Sequence, residues 1–225
     1  MQTRQREQTG SEFLSLEQHR VVAISVAMRT REGFKAWSLG EPDASEAELV
    51  GRFFDGIERF SPTLVSWNGS GFDLPVLHYR ALRHGVTAHR YWEMGDEDQA
   101  FRWNNYISRF HWRHVDLMDV LSGFQGRGRV GLDKMAQLIG LPGKLGMSGE
   151  LVWDAFLEGR IEDIRNYCET DVINTYLVYL RFELMRGRLT HEEHDRECAL
   201  VQSWLGAAGK PHLGEFLQAW TAGAG

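Results

Sequence analysis

The first regular pattern along the chain is extended. Arg20 to Arg29 reads RVVAISVAMR, and after Thr30 to Gly33 a second run, FKAWSL, ends at Leu39. Two such runs joined by a short polar turn predict a β-hairpin. The period then changes. Ser45-x-x-Glu48 has the form of a capping box, and Leu49, Val50, Phe53, Phe54, Ile57 and Phe60 recur at helical spacing before Pro62, which predicts a helix with one broad apolar face. Thr63 to Trp67 (TLVSW), short and β-branched, predicts a buried strand running into the glycine-rich turn Asn68 to Gly71. Asp73 is placed to cap the next helix, with Pro75 in the first turn, where a missing N–H does no harm, and Gly85 at the end. Residues 86 to 110 lack a period. Arg113 to Leu117 predicts another strand, followed by short helices over Met118 to Phe124 and Leu132 to Leu141. The sequence LPGKLGMSG then predicts a mobile connection. From Glu150 the pattern is helical, broken at Gly159, Gly187 and Gly209, with a second capping box at Thr190-x-x-Glu193. Strands early, a helix between them and helices late predict an α/β sandwich.

With 225 residues, 43% hydrophobic and 25% charged, the chain is expected to fold as one globular domain. Its last segment, residues 188–225, is expected to be a helical extension. No run approaches the roughly 20 apolar residues of a membrane helix, and no secretory h-region opens the sequence. A soluble, cytoplasmic protein is expected, without membrane partners. The two cysteines, Cys168 and Cys198, build no disulfide framework and no Cys-x-x-Cys knuckle, which suits reduced thiols. A net charge of −6 excludes a general nucleic-acid coat protein. It leaves room for a nuclease, because carboxylates that hold metal add negative charge of their own.

Two segments carry candidate chemistry. Asn68-x-x-x-Phe72-Asp73 stands where a buried strand gives way to a helix, and ligands collect at such carboxyl ends of strands. The alternative there is structural: an Asx-turn at Asn68 and a helix cap at Asp73. Tyr167-x-x-x-Asp171 lies on a helix predicted from about Ile161 to Arg186, and i, i+4 spacing stacks the phenol and the carboxylate on one face. That face continues through Ile164, Cys168, Val172, Thr175 and Val178. An aspartate among such residues is unfavourable unless it is paired or binds a cation. The structural alternative pairs it with Arg165 or Arg181.

The two segments in this order resemble the second and third motifs of the DEDD exonucleases, in the branch that carries a tyrosine. The wording SWNGSGFDLPVL, HVDLMDVLSG, LPGKLGMSG and YCETDVINTYLVYLR resembles, more closely, bacterial proteins described as predicted 3′→5′ exonucleases related to the proofreading domain of family-B DNA polymerases. The resemblance runs from about Thr9 to Arg181. It implies a ribonuclease H-like mixed sheet flanked by helices, and a nucleic-acid substrate, single-stranded at its 3′ end. Two divalent ions, magnesium or manganese, would be held by four carboxylates. Asp73 and Asp171 would be metal ligands, Tyr167 would orient the attacking water, and Asn68 and Phe72 would shape the substrate pocket. The family's first motif, Asp-x-Glu on an opening strand, has no counterpart before Arg20, where the acids are Glu7, Glu12 and Glu17. Asp195-Arg-Glu197 has the spelling but falls in a late helix, where i and i+2 diverge. The expectation is that the protein begins further upstream and that the opening strand lies there; an inactive relative of the same fold is the other reading.

Other patterns are weaker. His78 to His114 holds six arginines, five histidines, three tryptophans and Tyr106, the mixture of a single-strand channel, diluted by Glu93, Asp96, Glu97 and Asp98. Gly126-x-Gly-x-x-Gly131 follows a predicted helix and reads as a loop. Lys144 is either an exposed lysine or a phosphate contact, and Asp116 ends a strand near the site, with either a structural hydrogen bond or a metal contact. His191-Glu-Glu-His194 is one residue short of a zinc-protease motif and reads as a solvated helix start.

Overall fold

A computed structural model describes residues 14–223. Glu7 and Glu12, weighed above, and the start of the resemblance at Thr9 lie outside the described residues. The architecture is mixed α/β and dominated by helix. Strands β1 (Ser25–Thr30) and β2 (Gly33–Ser38) form the expected antiparallel hairpin, in register from Ser25 opposite Ser38 to Thr30 opposite Gly33. Strands β3 (Leu64–Ser66) and β4 (His114–Asp116) form a second, separate pair. Among the described residues these are two two-stranded sheets, where the sequence pattern suggested one sheet between helix layers. No described helix is long and apolar enough to cross a membrane.

The chain divides into two compact units. The first comprises the chain up to Val22, Asp43–Leu64 and Asn68–His114. Here helix α1 (Glu46–Phe60) buries Leu49, Val50, Phe54 and Ile57, the apolar face predicted from its spacing, and packs on α2 (Asp73–His84) and α3 (His89–Trp92). Burial of each such side chain stabilises by roughly 1.5–3 kcal/mol. Only half of the capping box forms. Ser45 accepts the N–H of Glu48, but the Glu48 carboxylate takes Arg52 one turn on, at 2.8 Å. A buried ion pair reinforces the packing: Glu46 receives Arg80 through both oxygens, His84 Nε2 at 2.8 Å and the Val21 N–H at 2.7 Å.

The second unit comprises Ala23–Pro42, Val65–Trp67 and Val115–Gly225. It holds the hairpin, α4 (Leu117–Leu121), α5 (Leu132–Leu138), α6 (Val152–Leu157), and the long helices α7 (Ile161–Met185), α8 (His191–Ala207) and α9 (Pro211–Ala222). Helix α7 is enclosed on two sides. Ile173, Leu177 and Leu180 join Phe34, Ala36, Val201, Leu205, Leu213 and Phe216 in one core. Val178 and Phe182 join Val115 and Leu117 in another, lined by Val65 and Trp67. A helix covered this way needs apolar residues around most of its circumference, so its sequence shows no single stripe. The predicted breaks at Gly159, Gly187 and Gly209 all adopt positive φ. The capping box at Thr190 and Glu193 forms in both directions.

Candidate functional site

The sequence-predicted residues fall in two places, one in each unit. After β3 the chain enters the first unit through a turn whose backbone Asn68 sets by adopting φ 63°, a left-handed conformation that asparagine tolerates. The Asn68 carbonyl accepts the N–H groups of Gly71 at 3.1 Å and Phe72 at 3.0 Å. A Cβ on Gly71 would lie 2.6 Å from Asn68 Oδ1, so any larger residue there would displace the Asn68 amide. The turn thus brings Asn68, Phe72 and Asp73 together. Phe72, half-buried, meets His19 edge-on with ring centroids 5.1 Å apart. Asp73 does not take the capping position expected of it: the cap residue is Phe72, and Asp73 is the first residue inside α2. Helix bonding starts early because the Gly69 carbonyl accepts Leu74 N–H and the Phe72 carbonyl accepts Val76 N–H. Asp73 is exposed, with its carboxylate at the positive end of the helix dipole.

In the second unit, α7 places Tyr167 and Asp171 in contact, and the phenol donates a hydrogen bond to the carboxylate. Neither arginine considered for Asp171 takes that place. Arg165 instead donates to the carbonyls of Leu39 and Gly40, at 3.3 and 2.9 Å. Burial pushes the Asp171 carboxyl above its ordinary pKa; the Tyr167 hydroxyl and the Lys144 cation act against that, and the charge of Asp133 adds to it. Burial likewise raises the Tyr167 hydroxyl, with the negative Asp171 acting in the same sense, so the phenol stays neutral. Its oxygen accepts the backbone N–H of Gly149.

The loop between α5 and α6 is anchored where mobility was expected. Asn174 Nδ2 donates to the Gly143 carbonyl at 2.9 Å, and the Lys144 N–H donates to Asp133 Oδ1 at 2.8 Å. Gly143 has φ 68°, and a Cβ there would overlap Asp133 Oδ1, so the approach requires glycine. Asn174 lies three residues beyond Asp171, on the same face of α7. It is fully buried, and among the described residues its Oδ1 has no hydrogen-bond partner. Asp133 and Asn174 were not singled out from sequence. The signals available were an acid in the first turn of α5 and a polar residue one turn past Asp171 on a helix otherwise rich in apolar types.

This arrangement is short of positive charge. A half-buried carboxylate resists ionisation, a second acid stands in its field, and a buried carbonyl oxygen lacks a partner. Oxygen donors of this kind suit magnesium or manganese, and a cation beside Asp171 would offset the charge that burial disfavours, so the chemistry of Asp171 and Asp133 fits a divalent ion. A second group, His89, Glu93 and Glu97, has ligand atoms within 4.8 Å of one another. There Glu93 Oε1 accepts the N–H groups of Gly95, Glu97 and Asp98, which makes it the organiser of its own loop.

Several other sequence readings are settled by position. Asp116 is structural: it caps α4 by accepting the N–H groups of Met118 and Asp119. Arg129 of the glycine-rich loop pairs with Asp119 at 2.5 Å. His194 departs from the expected solvated helix start, because it is buried with its ring 3.7 Å from Cys198 Sγ. Burial pushes that thiol up to about 11. Glu197 pairs with Arg29 and Tyr176, away from any metal-binding role.

The chain is 28% identical over 145 residues to the catalytic subunit of DNA polymerase epsilon from Dictyostelium discoideum, a match that covers 63% of this chain and 6% of that protein. It is 46% identical over 43 residues to DNA polymerase 1 of Sulfurisphaera ohwakuensis, covering 19% of this chain and 5% of the relative. Over 41 residues it is 46% identical to DNA polymerase 1 of Saccharolobus solfataricus, covering 18% and 4%. The chain thus spans 6% or less of the length of these relatives. No solved structure matches it. Residues 11–220 match the family described as predicted 3′-5′ exonuclease related to the exonuclease domain of PolB, and with nearly the whole sequence covered the chain belongs to that family.

Proposed function

We propose that the protein is a 3′→5′ exonuclease of ribonuclease H-like fold that removes nucleotides from single-stranded DNA 3′ ends by hydrolysis with divalent metal ions. The observation that carries this reading is the Tyr167–Asp171 hydrogen bond on α7, at a carboxyl whose charge Lys144 and the phenol do not fully offset. DNA is favoured over RNA because the relatives that match are named as DNA polymerases.

In the second unit Asp171 would hold metal, with Asp133 contributing negative potential to it; in the first unit the second motif offers Asp73 as a further ligand. Bound divalent ions lower the pKa of a coordinated water and neutralise charge on the reacting phosphate. The protein's own part lies in the hydroxyl of Tyr167. Its proton is committed to Asp171, and one of its two lone pairs to Gly149 N–H. A phenol oxygen has one lone pair left to accept a hydrogen bond from water, and that acceptor fixes the direction in which the water's own lone pair points. Because burial keeps the phenol neutral, Tyr167 orients the nucleophile without serving as its base. Lys144 supplies a cation beside Asp171 for the phosphate.

Isothermal titration with Mn²⁺ tests the site: wild type binds, and Asp171→Asn does not. With a strand bearing Asp-x-Glu joined ahead of the chain, shortening of 5′-labelled linear DNA, with circular DNA spared, tests the direction of attack. Equal Mn²⁺ binding by both proteins, or cleavage of circles, would overturn the proposal. A second reading is a nucleic-acid-binding module of the same fold without chemistry. It predicts DNA binding with no shortening, even when a strand bearing that motif is joined ahead of the chain.

A further inference from the structure

The loop from Gln99 to Arg113 (QAFRWNNYISRFHWR) contains three arginines and no acidic residue, in a chain of net charge −6. Its framework is rigid. Asn105 is buried, accepts the N–H groups of Ile107 and Ser108 at 3.2 and 2.9 Å, and donates to the Phe101 carbonyl at 3.2 Å. Asn104 Oδ1 accepts Trp112 N–H at 3.1 Å, and Arg113 Nε donates to the Asn104 carbonyl. The Arg113 guanidinium lies 3.8 Å from the centre of the buried Phe101 ring. Tyr106, also buried, donates to the Pro62 carbonyl at 2.6 Å.

This framework turns large rings outward. Trp103 is 81% exposed, Phe110 69% and Trp112 49%. Two of them carry a guanidinium beside the ring, Arg102 at 5.8 Å from Trp103 and Arg109 at 5.0 Å from Phe110. Soluble proteins rarely leave several large rings on one short loop in water without a partner for them. A protein partner would account for the rings, but the complete absence of acids from the loop fits a polyanion better. Rings paired with cations match a polymer that repeats a flat base and a phosphate.

We propose that this loop binds single-stranded DNA, with unpaired bases stacked on Trp103 and Phe110 and phosphates met by Arg102 and Arg109. The inference rests on the reading of the protein as a DNA exonuclease, and it assigns a substrate-holding surface that the Tyr167–Asp171 chemistry does not require. Hydrogen bonding holds the loop before any ligand arrives, so little ordering entropy opposes binding.

The test is fluorescence anisotropy of labelled oligo(dT) with the full chain in EDTA, where no metal-dependent step takes part. Loss of one stacked base weakens binding by about 1–3 kcal/mol, so Trp103→Ala and Phe110→Ala should each raise Kd by roughly 5- to 150-fold. Trp103→Phe should recover most of the loss. Replacing Arg102 and Arg109 together by alanine should flatten the dependence of log K on log salt by about 0.7 per lost phosphate contact. Circular dichroism confirms that each variant is folded. If Trp103→Ala binds oligo(dT) as wild type does, or wild type does not bind it, the assignment is overturned. It is equally overturned if sedimentation shows that Trp103→Ala abolishes a self-association of the wild-type protein. Should Asp171→Asn bind Mn²⁺ normally while Trp103→Ala still weakens oligo(dT) binding, the nuclease reading fails and the loop assignment stands. Should Asp171→Asn lose Mn²⁺ while Trp103→Ala leaves DNA binding intact, the loop assignment alone fails.

Discussion

Replacing Glu169 by glutamine tests whether the helix that carries Tyr167 and Asp171 is held by a buried ionic cluster. The Glu169 carboxylate is 2% exposed. Ser38 donates to it through both its N–H and its hydroxyl at 3.0 Å, Lys210 Nζ lies 2.8 and 2.9 Å from its two oxygens, and His212 Nε2 lies 2.9 Å from Oε2. Burial acts to raise its pKa, but His212, Lys210 and Ser38 overcome that and hold it at about 2, against 4.5 for an ordinary glutamate. At about 1.4 kcal/mol per pKa unit, the charged form contributes on the order of 3 kcal/mol to the folded state. The folded pKa is the lower one, so this contribution is complete above pH 4.5 and fades as pH falls toward 2. Glutamine keeps the shape but turns an NH₂ toward Lys210 or His212. Near pH 7 the variant should lose about 2–3 kcal/mol, equivalent to roughly 5–10 °C in Tm for a chain of this size. Urea denaturation followed by tryptophan fluorescence measures the difference, which should narrow as the buffer is made acidic. A wild-type midpoint near neutral pH, or a gap that does not change with pH, would refute the reasoning.

Three further outcomes follow from the site. Asp171→Asn should melt at the same temperature as wild type or higher near neutral pH: the fold raises this carboxyl above 3.8, so the charged form is disfavoured above that pKa, and the disadvantage disappears in acid. Calorimetry across pH checks it, and a variant destabilised at neutral pH contradicts it. Gly143→Ala places a side chain at φ 68° against Asp133, and should destabilise the loop by about 1–3 kcal/mol, seen as faster amide exchange at Lys144 and Gly149 with the hairpin unaffected. The 225-residue chain should shorten DNA feebly or not at all with Mg²⁺, since it offers two of the four carboxylates that the motifs call for. Joining a strand with Asp-x-Glu ahead of it should raise the rate, and rapid turnover by the chain alone would count against that reasoning.

What was legible in the sequence depended on how local the contact is. Tyr167 and Asp171 are four residues apart on one helix, so their meeting follows from helix geometry alone. Gly85 and Gly159 ended helices because a left-handed residue is needed there whatever packs outside. Where two local partners competed, the pattern misled. Glu48 had both a capping position and Arg52 one turn away, and it took the arginine. The contacts that shape the surroundings of Asp171 are not local. Asn174 reaches Gly143 across 31 residues, and Asp133 reaches Lys144 across 11. Nothing in the spacing of these residues specifies a partner, because tertiary packing alone brings α5 and its following loop against α7. His194 shows the same limit: its sequence neighbours are charged, and only the packing of α8 buries it.

The enclosure of α7 also sets two of its acids in contrasting surroundings. Covered on two sides, the helix leaves its polar residues little access to water, so each must be satisfied by protein or by a ligand. Glu169 is satisfied entirely from within, by a lysine and a histidine brought from the start of α9, and its pKa falls. Asp171, two residues on and facing a different way, receives a neutral phenol and the field of Lys144, which leaves burial dominant, and its pKa rises. Glu169 is buried and Asp171 half-buried on one helix, and residue type does not tell their roles apart. The difference lies in how far protein alone neutralises each charge. If the proposed ion binds, the incompletely neutralised acid is the one whose stability would improve.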